Sequence, residues 1–398
     1  MLTHRQLFLT HNAQTSDAPL LLEFERADGV FMYDVTGKSY MDLISGIGVS
    51  NVGHCHPKVV HAIHEQLDKY MHLMVYGEYV QSPQVLLAKQ LTTLLPASLN
   101  NVYFTNSGSE AIEGALKLAK RYTNRTELIA FKNAYHGSSH GALSVMGVES
   151  FKSSFRPLLP DVNFLSLNCE ADLERITHKT AAVIIEPIQG EAGVQIPHEE
   201  FMRKLRYRCN DVGALLILDE IQTGFGRTGK WFAFEHFNIV PDVLTIAKGM
   251  GGGMPIGAFI APQKMMSVFK NNPILGHITT FGGHPVCCAA SLATLKTIQE
   301  EGLMDGIEVK ESLFKSLLVH SSIKEIRGKG LMFAVEFGNF EQNKRIIDIC
   351  ISNGVVVDWF LHCATAMRIA PPLTITEEQI KWACAIILAA IEEVYDSI

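Results

Sequence analysis

Asp242-Val-Leu-Thr-Ile-Ala247 is an apolar run of strand length, and it delivers the chain directly to Lys248 and then to Gly249-Met-Gly-Gly-Gly253. An ammonium at the end of a buried strand loses hydration, which lowers its pKa and frees the amine to attack carbonyl carbon. Glycines beside it let the backbone approach a bulky bound group. Upstream, Ala214-Leu-Leu-Ile-Leu218 ends at Asp219, an acid that needs a cationic partner for the same desolvation reason. A lone lysine after a strand is usually a solvated loop charge, so the weight falls on what surrounds it.

Between about residues 101 and 261, short apolar runs alternate with helical segments. The strands expected are Val102–Thr105, Leu128–Phe131, Ala182–Glu186, Leu215–Asp219, Val243–Ala247 and Ile256–Ile260, with helices at Ser109–Tyr122 and Glu199–Val212. Such alternation predicts an α/β fold with a mainly parallel sheet between helices. Ahead of it, Val30–Tyr33 and Lys38–Asp42 read as a hairpin, and residues 57–73 and 81–95 as helices. After about residue 285 come two long helical stretches, a hairpin at Gly328–Phe337 and a closing helix from Glu377. Two domains are expected: residues 51–284 as the large one, and residues 1–50 with 285–398 as a smaller α+β domain built from both chain ends.

The chain has 398 residues, 47% hydrophobic and 19% charged, with net charge −7, the balance of a soluble protein with a large core and no basic field for nucleic acid. Eight cysteines without a C-x-x-C pattern read as reduced thiols in a cytoplasmic protein. Neither a signal peptide nor a membrane-spanning run is evident.

Thr105-Asn-Ser-Gly-Ser-Glu110 joins a strand to a helix. Helix N-terminal amides, serine hydroxyls and a glycine can cradle a phosphate, although Ser107 or Ser109 could equally serve as a plain N-cap. Gly224-Phe-Gly-Arg-Thr-Gly229 matches a dinucleotide fingerprint and nearly a P-loop. Trp231 stands where a P-loop needs Ser or Thr, and the glycines neither follow their strand directly nor open a helix, so both readings are set aside. The histidines of Gly53-His-Cys-His-Pro57 are too tightly spaced for a zinc finger.

Taken together, the segments resemble a class III (ω-amino) aminotransferase of the fold-type I pyridoxal phosphate superfamily, and within it ornithine and N-acetylornithine aminotransferases. The likeness is carried by Gly53–Pro57, Asn106–Glu110, Tyr135-His-Gly137, Glu186-Pro-Ile-Gln-Gly-Glu191, Leu218–Thr223, Gly226–Gly229, Ala247–Gly249, Thr280–Gly283 and Arg368-Ile-Ala-Pro-Pro372. It implies a seven-stranded large-domain sheet, pyridoxal 5'-phosphate as cofactor, and an obligate homodimer with shared sites. Lys248 would form the Schiff base and shuttle a proton, and Asp219 would pair the pyridinium nitrogen. Tyr135 and Ile221 would cover the two ring faces, and Gln222 would bond the ring hydroxyl. Ser107, Gly108 and Ser109 would bind phosphate, His136 and Glu186 would complete the cofactor site, and Thr280 would reach the partner's cofactor.

For substrates, the resemblance implies that Arg368 clamps the α-carboxylate of 2-oxoglutarate or glutamate, and that Glu191 covers it while an ω-amino donor is bound. Tyr76 would lie in the substrate-facing aromatic segment. In such enzymes the Tyr-His-Gly element is typically followed by an arginine for the donor's distal carboxylate; here Ser138 stands there. Losing a buried contact of that kind costs about 2–5 kcal/mol unless another cation, such as Arg156 or Lys152, replaces it. An ornithine or N-acetylornithine donor is expected from the overall likeness; a diamine or 4-aminobutyrate-like donor is the alternative that Ser138 favours.

Overall fold

The computed structural model describes residues 2–396; Met1, Ser397 and Ile398, which belong to the expected end segments, lie outside the described residues. Its central sheet has seven strands in the order Asn101–Thr105, Gly257–Ala261, Val243–Ile246, Leu215–Asp219, Thr180–Ile185, Glu127–Phe131 and Val162–Leu165. Gly257–Ala261 runs antiparallel to both neighbours, and the other neighbouring pairs are parallel. Thr180–Ile185 and Leu215–Asp219 are buried at every position, as continuous apolar runs covered on both faces should be.

One face carries the helix Gly108–Thr123, whose Ile112, Ala115, Leu116 and Ala119 pack against sheet residues including Leu128 and Phe259. The approach is close: a β-carbon on Gly114 would stand 2.2 Å from the Phe259 ring. The opposite face is covered by Glu199–Val212 through Phe201, Met202, Leu205 and Cys209, with Phe201 edge-on to Phe131. The strand at Val162–Leu165 escapes a sequence reading because it is a four-residue edge strand, only one residue of which is buried.

The two chain ends meet. The strands Phe31–Asp34 and Ser39–Asp42 form the expected hairpin, with Phe31 opposite Met41. Val355–Val356, from the far end of the sequence, pairs in parallel with Ser39–Asp42. A further sheet, ordered Glu325–Gly328, Phe333–Glu336, Cys363–Ile369 and Asp358–Phe360, is backed by helices Phe340–Ser352 and Glu377–Asp396 over a separate apolar core. Some expected bounds shift. The helix from Pro57 stops at Leu67 rather than residue 73, where Gln66 turns its side-chain amide onto the Tyr70 carbonyl. The expected hairpin at 328–337 is centred earlier, Glu325–Gly328 pairing with Phe333–Glu336 around a turn at Lys329–Met332.

Candidate active site

Open α/β sheets bind ligands beyond the carboxyl ends of their parallel strands. A cavity of about 480 Å³ sits there, lined by Ser107–Ser109, Tyr135, Asp219, Ile221 and Lys248 among others. Each arrives just past a strand end. Asp219 closes Leu215–Asp219, Glu186 follows Ile185, and Lys248 follows Ile246 by two residues.

Lys248 is held at φ +46°, a left-handed conformation that non-glycine residues rarely adopt. Burial holds its amine below the usual lysine range, Glu191 works in the opposite direction, and Arg368 adds to the lowering. Asp219 receives two hydrogen bonds, from His136 Nδ1 at 2.7 Å to Oδ2 and from the Ile221 amide at 3.0 Å to Oδ1. His136 Nε2 is buried with no protein partner. Glu186 accepts the amides of Tyr135 and Gly190, each at 2.9 Å, so it ties the Tyr135 segment to the loop bearing Glu191. Burial pushes its carboxyl up to about 7.

The two serines of the Asn106–Glu110 turn divide their work. Ser107 is the N-cap, its hydroxyl accepting from the Glu110 amide at 3.2 Å. Ser109 Oγ accepts from the Ser138 amide at 3.0 Å, which leaves its own proton to donate elsewhere. Gly137 permits this: it sits at φ +123°, and a β-carbon there would stand 2.0 Å from Ser109 Oγ. At Gly108 a β-carbon would meet Ile221 Cδ1 at 2.8 Å. The result is a helix N-terminus with close backbone and a free hydroxyl, and a cavity bounded by Tyr135 and Ile221. These residues fit a phosphorylated pyridine, with Asp219 for a ring N–H and Lys248 for an aldehyde carbon.

Behind the cavity Arg368 Nη2 donates to Glu191 Oε2 at 2.6 Å, and both side chains are buried. Gln222, expected on the ring hydroxyl, here donates to Glu191 Oε1 at 3.2 Å. Burial, the largest single influence, would raise the Glu191 carboxyl, but Arg368, Lys248 and the Leu361 amide together hold it below the usual range. Arg368 Nε and Nη1 are buried without partners.

Not every expected residue reaches this cavity. Thr280 is exposed and Tyr76 half-buried, and neither lines it in this chain. Ser138 does line it, with Tyr135 Oη 3.4 Å from its hydroxyl. Neither cation considered as a replacement for the missing arginine arrives: Lys152 Nζ donates to the Met146 carbonyl at 2.8 Å over the Phe164 ring, and Arg156 pairs with Glu149. Sequence reading missed the wall at Met254–Ile256 and the turn at Leu361–His362, which touches Glu191; neither carries a chemical signature in the sequence.

Fold and site together define a pyridoxal phosphate-dependent transferase. The chain belongs to the class III aminotransferase family, whose description, "Aminotransferase class-III", matches residues 12–391. It is 41% identical over 361 residues to an acetylornithine aminotransferase of Methanopyrus kandleri, covering 90% of this chain and 91% of that one. It is 36% identical over 408 residues to another from Caldanaerobacter subterraneus subsp. tengcongensis, covering 99% and 100%. Among solved structures, an ornithine aminotransferase from Toxoplasma gondii, described with partial occupancy of PLP at its active site, superposes with a TM-score of 0.91 at 28% identity, covering 98% of this chain and 93% of that one. A transaminase from the marine bacterium Virgibacillus gives 0.92 at 28% identity, covering 99% of both. The chain is therefore an ω-aminotransferase that uses pyridoxal 5'-phosphate.

Proposed function

We propose that this enzyme moves the terminal amino group of an ornithine- or N-acetylornithine-like donor to 2-oxoglutarate, giving a terminal aldehyde and glutamate in two alternating half-reactions. The observation that carries this reading is the Glu191–Arg368 pair with Arg368 Nε and Nη1 left unpartnered. Once the internal carboxylate leaves, Nη2 is freed beside Nε and Nη1, and it can pair with either of them to grip an α-carboxylate by two parallel bonds. While Glu191 covers it, the pocket suits a donor that presents only an amine.

When bound, the cofactor supplies an electron sink for the pair left on substrate carbon as a proton departs. Lys248, its amine pushed toward the neutral form, is the attachment point and the base that carries this proton. Asp219, held by His136 and Ile221, would receive the ring nitrogen. Ser109 and the amides after Ser107 would hold its phosphate, and Tyr135 and Ile221 would enclose its ring.

Tyr76, Thr280 and the exposed Met71, Val80, Ile274 and Phe281 are best placed against a second subunit, and we read the working enzyme as a homodimer. Eight unpaired cysteines suit a cytoplasmic setting. A second donor reading, a diamine, is favoured by one observation: among the described residues lining the cavity, Lys248 is the sole lysine or arginine. The test is glutamate production from 2-oxoglutarate with N-acetylornithine, ornithine, 4-aminobutyrate and putrescine in turn. Preference for N-acetylornithine or ornithine supports the reading; preference for putrescine replaces the donor; failure of all four refutes it.

A further inference from the structure

We propose that the Leu361–His362 turn is the catch that holds Glu191 closed over Arg368, and that His362 is a positioning residue setting the balance between ω-amino and α-amino donors. The inference rests on the function proposed above and deepens it.

The turn joins Asp358–Phe360 to Cys363–Ile369, the strand that carries Arg368. Both of its amides are directed at Glu191. Leu361 N donates to the carboxylate Oε2 at 3.2 Å, and His362 N to the main-chain carbonyl at 3.1 Å. The Glu191 carboxylate thus has three donors: Arg368, Gln222 and the Leu361 amide.

The His362 ring pins the turn. Its Nδ1 lies 2.9 Å from the Asn133 carbonyl and must be the donor, since a carbonyl has no proton to give. The ring also packs on Phe151 and Tyr135, with centroids 5.2 Å and 6.1 Å away. Nε2 is buried without a partner, so a neutral ring protonated on Nδ1 is the form that buries least charge. Asn133 lies two residues before Tyr135 and sits at φ +62°. One side chain therefore fastens the arginine-bearing hairpin to the segment that presents Tyr135.

Glu191 and an α-carboxylate compete for Arg368. Loosening the turn weakens the Leu361 amide's hold and raises the open fraction. A ligand that binds only the open form gains in proportion, whereas one that binds the closed form, already dominant, changes little. A residue with a merely structural role would move both in the same direction.

The experiment uses the holoenzyme and follows cofactor absorbance in single turnovers, with glutamate and with N-acetylornithine separately. For His362→Ala the specificity constant for glutamate should rise roughly fivefold to tenfold, the effect of one lost hydrogen bond, with that for N-acetylornithine within about twofold of wild type. His362→Phe, which keeps the ring packing but lacks the donor, should show the same gain. His362→Asn, whose amide can donate to the Asn133 carbonyl, should restore the wild-type ratio. Parallel losses with both substrates, or no change in the Ala and Phe variants, overturn the catch while leaving the function standing. A wild type that reacts with no ω-amine refutes both.

Discussion

Glu191 Oε2 lies 2.6 Å from Arg368 Nη2, and the two side chains share a site that is almost closed to solvent. Breaking such a pair by deleting one partner costs about 3–5 kcal/mol, because a charge is left buried and alone. Exchanging one carboxylate for another avoids most of that cost. On the proposed function, an incoming α-carboxylate would take over Arg368 while Glu191 turns away, and donor and acceptor would use the same cavity in turn.

Arg368→Met should therefore damage the two half-reactions unequally. The specificity constant for 2-oxoglutarate should fall by about 10²–10³-fold, equivalent to about 3–4 kcal/mol. The half-reaction with the ω-amino donor should fall much less. Measuring each half-reaction by cofactor absorbance checks this, and equal losses would remove Arg368 from acceptor recognition.

Gly137 faces Ser109 so closely that no β-carbon fits without displacing the hydroxyl. Gly137→Ala should loosen the phosphate end of the site, raising the dissociation constant for pyridoxal phosphate at least tenfold, an effect of about 1.4 kcal/mol. Titrating the apo-protein with cofactor reads this directly. Unchanged affinity would mean that Ser109 does not contact phosphate.

Much of this was legible in the sequence, and the reasons are local. Leu215–Asp219 and Val243–Ile246 are apolar runs bounded by charge, glycine and proline, so strand and catalytic side chain can be read together. The pairing of Arg368 with Glu191 is not legible from spacing, because 177 residues separate the partners and the sheet brings them together. Only the family likeness points to it. Gln222 illustrates the remainder: it lines the cavity, and its hydrogen bond to Glu191 depends on a rotamer that no sequence pattern encodes. The Leu361–His362 turn meets Glu191 through backbone amides, which every sequence possesses, and His362 is one of 16 histidines with no spacing to mark it.

The left-handed backbone at Lys248 yields a stability prediction independent of catalysis. Both Lys248→Ala and Lys248→Gly should abolish activity. Glycine adopts φ +46° without penalty, whereas alanine at positive φ is strained, so the glycine variant should be more stable by about 1 kcal/mol. Denaturant unfolding of the two apo-variants tests it, and a more stable alanine variant would contradict the backbone assignment.

Glu186 gives a pH signature. Burial lifts its carboxyl from the usual 4.5 to about 7 in the fold. Between those values the unfolded chain has released the proton and the folded protein keeps it, so this group makes stability fall as pH rises from about 4.5 to 7. Buried Glu220, also pushed up to about 7, adds to the same slope. Glu186→Gln should cost about 1–3 kcal/mol, because one of the two amides loses its acceptor, and should flatten part of the slope. Unfolding of wild type and variant across that window isolates the contribution; parallel curves would show an ordinary carboxylate.

On the proposed function, one cavity serves an ω-amine and 2-oxoglutarate in alternation. The most direct measurement mixes holoenzyme with N-acetylornithine in the absence of acceptor, follows the cofactor spectrum, and then adds 2-oxoglutarate alone. Complete conversion is expected in the first step, full recovery in the second, and one glutamate formed per site. A spectrum unmoved by N-acetylornithine, ornithine, 4-aminobutyrate and putrescine, or one that 2-oxoglutarate fails to restore, would contradict it.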